Sequence, residues 1–62
     1  MWKDARPINE YYNAGKAAGK TYSEMRDNLV LIDSYMAAYG DWYLYQDQTT
    51  GKYYQDYFSI GD

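Results

Sequence analysis

The groups in this chain that could do chemistry are mainly carboxylates and phenols, and they are concentrated in its second half. Asp41, Asp47 and Asp56 stand among tyrosines between residues 41 and 58. Two carboxylates can form an acid–base pair, but only in a cleft that one hairpin and two helices are too small to build. The sequence contains no Cys and no His, which excludes thiol and imidazole catalysis and a Cys/His zinc site. We therefore predict a protein that is not an enzyme and that has no cofactor and no metal site.

The segment from Ala14 to Thr21, AGKAAGKT, matches a phosphate-binding loop with Ala in place of the first Gly. Such a loop follows an apolar strand, and a separate strand supplies the acid that holds magnesium. Here the preceding residues are polar and aromatic, and the apolar run 29–33 falls inside the helix predicted next. We interpret the segment as a helix end with solvated lysines. An anion at Lys20 and Thr21 stays an open alternative.

Tyrosine supplies much of the apolar content of the chain. Among 62 residues there are ten Tyr but only seven Leu, Ile and Val. A chain of this length buries only about 60% of the surface that its unfolded form exposes. We expect a single domain, residues 1–62, whose aromatic side chains are buried either internally or against a partner. No apolar run is long enough for a membrane span or a secretory signal, so we expect a cytoplasmic protein, in the host cell cytoplasm if it is viral.

The predicted fold class is α+β, with two N-terminal helices followed by an antiparallel hairpin. Pro7 and the helical spacing of the apolar residues after it predict a helix over 7–18. Thr21 and Glu24 form a capping box. An apolar stripe with spacings of three and four predicts a second helix over 21–39, ended by Gly40.

The second predicted helix is apolar on two sides. Leu31, Tyr35 and Ala38 lie close to the opposite side from its main stripe. One side can pack on the hairpin, and the other then needs the first helix or another chain. We therefore include Leu31 and Tyr35 among the candidate partner-binding residues.

The segment 47–52 separates two aromatic runs and predicts a hairpin loop with Gly51 in the left-handed conformation. If Asp47 faces Lys52, strands 42–47 and 52–58 pair in a fixed register. Alternation then sorts the side chains onto two faces. The face expected to pack on the helices has Trp42, Leu44, Tyr53 and Tyr57. The face expected to be free has Tyr43, Tyr45, Tyr54 and Asp56, with Asp41 and Asp47 at its ends.

Charge is distributed unevenly along the chain. Residues 1–26 carry five Lys/Arg and three Asp/Glu, whereas residues 27–62 carry one Lys and six Asp. An acidic surface rich in tyrosine favours a protein partner with a basic surface, such as a host enzyme or a nucleic-acid-binding protein. By its size, acidity and lack of cysteine the chain resembles small accessory proteins of bacteriophages and mobile elements. That resemblance implies an inhibitor or modulator that occludes a surface of a host protein.

Three alternatives remain open at this point. A structural homo-oligomer, as in a virion or another assembly, would pair through Leu31, Tyr35 and Ala38. A nucleic-acid mimic would use Asp33, Asp41, Asp47 and Asp56 in place of phosphates; direct binding of nucleic acid or of a membrane is not expected. Converging tyrosines would form an aromatic cage for a methylated ammonium.

Overall fold

The computed structural model describes residues 1–60 and shows a small α+β fold with two helices and a four-stranded mixed sheet. The strand order is β1-β4-β3-β2, with β1 parallel to β4 and the other neighbours antiparallel. A 3-10 turn, Trp2–Asp4, precedes these elements. In chain order they are β1 (Arg6–Pro7), α1 (Ile8–Ala17), α2 (Tyr22–Asp27), β2 (Leu29–Ala37), β3 (Gly40–Asp47) and β4 (Tyr53–Ser59).

The first predicted helix is confirmed, with bounds one residue inside the predicted ones. It ends because Gly19 adopts a left-handed φ of 80°, which lets the Lys20 N–H donate to the Gly15 carbonyl oxygen at 3.0 Å. The capping box at the start of α2 is also confirmed. The Thr21 hydroxyl accepts from the Glu24 N–H at 3.2 Å, and the Glu24 carboxylate accepts from the Thr21 N–H at 2.9 Å.

The prediction of a helix over 21–39 is wrong beyond Asp27, because Leu29–Ala37 is a β-strand. The chain leaves the helix at Asn28, whose amide donates to Asp47 at 2.7 Å and to the Tyr11 hydroxyl at 3.3 Å. The β-branched residues that follow suit a strand, and pairing with β3 outweighs the helical spacing of the apolar residues. Gly40 does not end a helix; it begins β3 after a two-residue turn.

The predicted hairpin is present as β3 and β4 in the predicted register, but it belongs to a four-stranded sheet and does not stand alone as the two-stranded one that we expected. The Asp47 N–H donates to the Lys52 carbonyl oxygen at 2.8 Å, and Gly51 has a φ of 78°. Tyr45 lies opposite Tyr54 and Tyr43 opposite Asp56, as the loop position requires. Since opposite residues share a face, these four side chains do lie on one face of the sheet.

The helices pack on the face that we expected to be free. The Tyr11 ring of α1 lies 5.1 Å from the Tyr54 ring, so α1 covers that part of the Tyr/Asp face. The other face is covered by the N-terminal segment: Gln55 donates to the Ala5 carbonyl oxygen at 3.0 Å, and Leu44 is fully buried. Alternation separated the two faces correctly, but it did not indicate which one the helices would cover.

The buried core is small. Within the described residues the buried apolar side chains are Ala5, Ile8, Met25 and Leu44. Eleven large apolar side chains in the same part of the chain are exposed, among them Met36 and Phe58. No helix within residues 1–60 is both long and apolar enough to cross a membrane. The sheet therefore carries much more apolar surface than the two short helices cover.

Candidate protein-binding surface

An open groove lies where the helices leave the Tyr/Asp face of the sheet uncovered. Its volume is about 470 Å³. The helices form one wall, and residues of β2, β3 and β4 form the floor. We name it the tyrosine groove, and its lining residues are Ile8, Tyr12, Tyr22, Arg26, Leu29, Leu31, Tyr45, Asp56 and Phe58.

The wall of the groove is held by aromatic contacts between the two helices. The Tyr12 ring of α1 stacks on the Tyr22 ring of α2, with centroids 5.3 Å apart and an interplanar angle of 23°. The Arg26 guanidinium, one turn along α2, lies 5.7 Å from the centroid of the Tyr22 ring. This cation–π contact places a positive charge at the rim of the groove.

Asp56 is the carboxylate that lines the groove. Burial raises the pKa of its carboxyl above the ordinary value, and the nearby Tyr57 N–H offsets this only in part. The ion pairs found within residues 1–60 join Met1 to Asp4 and Arg6 to Glu10, so Asp56 has no cationic partner there. A half-buried carboxylate without a counterion is electrostatically unfavourable.

Two of the phenols that line the groove, those of Tyr12 and Tyr45, remain protonated at neutral pH. Burial, the neighbouring Tyr22 phenol and the charge of Asp56 raise the pKa of Tyr12 to about 12. Burial and the charge of Asp56 also raise the pKa of Tyr45. Their hydroxyls are therefore neutral groups that can donate hydrogen bonds to a partner.

The apolar surface continues beyond the groove toward the β2–β3 turn. The Tyr43 and Phe58 rings form a T-shaped pair, with centroids 5.6 Å apart. Asp41 lies opposite Met36 on one side and Phe58 on the other. One Asp41 oxygen, Oδ1, is buried and has no hydrogen-bond partner among the described residues. This end of the sheet combines exposed apolar side chains with an unsatisfied acceptor.

The structure brings together some of the predicted partner-binding residues and separates others. Tyr54 lies beneath α1, and Asp47 is 6% exposed, with its Oδ1 accepting hydrogen bonds from Asn28, Thr49 and Thr50. Tyr35 lies on the opposite face of the sheet, between Trp2 and Trp42. The residues that remain together on the open part of the Tyr/Asp face are Leu31, Asp41, Tyr43, Tyr45 and Asp56.

The predicted stripe of Leu31, Tyr35 and Ala38 does not exist as one surface. Leu31 lies opposite Tyr45 and Tyr35 opposite Trp42, on different faces, and a bulge between Leu31 and Asp33 shifts the register. Ala38 lies in the turn after β2. The stripe depended on helical geometry that this segment does not have.

Sequence reasoning did not identify the residues that the helices contribute to the groove. The sequence does not distinguish these residues, Tyr12, Tyr22 and Arg26, from the other residues of two amphipathic helices. The available signal was a tyrosine in each helix, Tyr12 in the middle of α1 and Tyr22 at the start of α2, with an arginine one turn after Tyr22. Their convergence depends on the angle between α1 and α2, which residue spacing does not encode.

The phosphate-loop motif is not in a phosphate-binding context. Ala14 to Ala17 form the last turn of α1, and the Thr21 hydroxyl is already hydrogen-bonded to the Glu24 N–H. No group of three potential metal ligands occurs within the part of the chain that the structure describes. Comparisons with known protein families, with curated proteins and with solved structures find no match to this chain.

Proposed function

We propose that this chain is a non-enzymatic protein-binding module that occludes a basic surface of its partner. The observation that supports this is the imbalance between its core and its surface. Four apolar side chains are buried in the described residues, whereas eleven large ones are exposed. Exposed apolar surface on this scale, with acidic groups among it, is typical of interaction sites. We propose the phage- or mobile-element-type inhibitor as its biological class.

The proposed contact surface is the tyrosine groove together with Tyr43, Asp41 and Met36 at the far end of the sheet. Tyrosines supply large contact area with few rotatable bonds, and their hydroxyls bond to the partner. Asp41 and Asp56 complement a basic partner and orient it. The ligand that normally occupies the partner's basic surface would then be excluded.

The test is co-purification from the source cell, followed by calorimetry with the purified partner. The triple variant Tyr43→Ala/Tyr45→Ala/Asp56→Lys is expected to weaken binding at least about a hundredfold, because central aromatic and charged contacts each contribute about 2 kcal/mol or more. A control with matched charge change, Tyr39→Ala/Asp27→Lys, alters exposed residues outside the groove. Equal affinity of the triple variant and wild type would contradict this surface.

A homo-oligomer is the second candidate, and the β2 edge favours it. β2 is an outer strand of nine residues, and Leu31 and Met36 on it are exposed. However, two features hinder the pairing of this edge with a second copy. One is the bulge, and the other is the hydrogen bond from the Ser34 N–H to the Asp33 carboxylate at 2.8 Å. Light scattering after size-exclusion chromatography tests the homo-oligomer. A strict monomer at high concentration would exclude a homo-oligomer, and a dimer that is lost in Leu31→Asp would support one.

The nucleic-acid mimic has less support than surface occlusion. It needs a row of four exposed carboxylates at Asp33, Asp41, Asp47 and Asp56. Asp47 is buried by its own hairpin loop, and Asp33 accepts a hydrogen bond from Trp2 on the other face. The two carboxylates left on the Tyr/Asp face are too few to replace a run of phosphates.

A further inference from the structure

We propose that the tyrosine groove receives one lysine or arginine side chain of the partner, with the charge at the Asp56 carboxylate. This inference rests on the proposed function and specifies the group that the groove recognises. The aliphatic stem of that side chain would lie along the apolar and aromatic lining. The groove is then a pocket for a single residue at the centre of a larger interface.

The volume and the lining of the groove admit a long, unbranched side chain. A volume of about 470 Å³ is within the range of small ligand sites. Leu31 and Phe58 on its floor are 53% and 56% exposed, so the apolar lining is accessible. Lysine and arginine bury their methylene stems on such surfaces while the charged end reaches a polar group.

The charge distribution of the groove favours a cation. Asp56 is half-buried without an ion-pair partner among residues 1–60, and burial disfavours its ionised form. An incoming ammonium or guanidinium would supply the missing counterion. The Tyr12 and Tyr45 rings line the groove together with Asp56, and aromatic rings attract cations.

Arg26 is the cation of the chain itself that faces the same groove. Its guanidinium lies over the Tyr22 ring, and no ion pair joins it to Asp56 in the described structure. Because like charges repel, Arg26 competes with a partner's basic side chain for this space. Removing its charge should therefore strengthen cation binding, whereas a merely apolar ligand would not respond to that change.

The test uses blocked amino acids, each N-acetylated and with a methylamide C-terminus, in NMR titrations of the full chain. Blocked lysine and blocked arginine are the two cationic probes, and blocked norleucine is the apolar control. We expect at least one cationic probe to shift the amide signals of Tyr12, Tyr45 and Asp56 and to bind more tightly than norleucine. Asp56→Asn should weaken that binding about tenfold, the loss of one charge-assisted contact. Arg26→Gln should strengthen it about twofold or more.

The proposal would be overturned by norleucine binding as tightly as both cationic probes, or by cation binding that is unchanged in Asp56→Asn. Absence of binding by every probe would overturn it as well. The amide spectrum of each variant checks that it is folded. If the probes fail while the triple variant still loses its protein partner, the surface stands and only the basic-side-chain pocket is wrong. If the probes bind but the triple variant keeps its partner, the protein-binding surface is wrong.

Discussion

Gly15 of α1 lies directly against the side chain of Met25 of α2. A Cβ atom added at Gly15 would come within 2.1 Å of the Met25 sulfur and 2.9 Å of its Cγ. Met25 is 2% exposed and has little room to move. The absence of a side chain at Gly15 is therefore what allows the two helices to approach and form the wall of the tyrosine groove.

The substitution Gly15→Ala should destabilise the protein despite the better helix propensity of alanine. Overpacking costs about 1–3 kcal/mol, and the propensity gain of about 1 kcal/mol offsets only part of it. Urea unfolding followed by circular dichroism measures the difference. Lys16→Ala, at the exposed neighbouring position, is the matched control.

A double variant separates steric overlap from other effects at this site. Met25→Ala removes the atoms that the new Cβ would meet, at its own cost of about 2–5 kcal/mol. In that background Gly15→Ala should be neutral or stabilising. If it remained equally destabilising there, the contact with Met25 would not be the cause.

We expect the free energy of unfolding to fall in acid because of Asp47. Burial acts to raise the pKa of this carboxyl, but the hydrogen bonds from Asn28, Thr49 and Thr50 outweigh it and hold the pKa below its ordinary value. Its stabilisation is therefore present above the unfolded pKa of about 3.9 and is lost as the pH falls through the folded pKa. Asp47→Asn should flatten this acid dependence and cost about 1–2 kcal/mol at neutral pH.

The acid dependence should not vanish in that variant. The Thr21 backbone N–H and hydroxyl lower the pKa of Glu24, and the bond to Arg6 lowers that of Glu10, so both carboxylates add exposed contributions of the same sign. Urea unfolding between pH 2 and 7, about the range in which carboxylates titrate, gives the comparison. If the unfolding free energy of Asp47→Asn kept the full wild-type dependence on pH, Asp47 would not be the main source of that dependence.

Asp56 should have the opposite effect on stability. Its folded pKa is raised by burial, so its stabilisation is fully present below the unfolded value of about 3.9 and is lost as the pH rises through the folded pKa. Asp56→Asn should therefore raise the melting temperature at pH 7 but not at pH 3. Asp27→Asn, an exposed site, is the control. A lower melting temperature for Asp56→Asn at pH 7 would contradict an unfavourably placed charge.

Trp2 should fix the N-terminal turn on the sheet. Its indole N–H donates to the Asp33 carboxylate at 2.9 Å, and its ring lies 5.2 Å from the Tyr35 ring. Trp2→Phe keeps an aromatic ring but loses the donor, and should cost about 1 kcal/mol. In an Asp33→Ala background the same change should cost much less; full additivity of the two effects would show that the bond contributes nothing.

The parts of the fold that short-range chemistry determines were predictable from the sequence. The capping box at Thr21 and the hairpin loop at Gly51 each depend on neighbouring residues, and both formed as predicted. The loop also fixed the register that places Tyr43 opposite Asp56. Local signals of this kind specify the conformation of a turn without reference to the rest of the chain.

The prediction of the second helix was wrong because the pattern of apolar residues fits two structures. Apolar residues at 29, 32 and 36 have helical spacing, yet the run from Leu29 to Ile32 also suits a strand. Distant contacts decide between the helix and the strand. The Asn28 side chain bonds to Asp47, nineteen positions away, and β3 supplies a neighbouring strand for β2 to pair with. The open part of the tyrosine groove follows from this outcome, because six-residue α2 is too short to cover the sheet.

The pairing of β1 with β4 also bears on the order in which the protein folds. Arg6 lies opposite Tyr54, and forming that contact closes a loop of nearly the entire domain. Closing a loop this long costs more entropy than forming the β2–β3 and β3–β4 turns, which join neighbouring segments. During synthesis the first residues must therefore wait for β4 to leave the ribosome before the sheet is complete. Until then the apolar side chains on one face of β2 and β3 lack the cover that the N-terminal segment gives them.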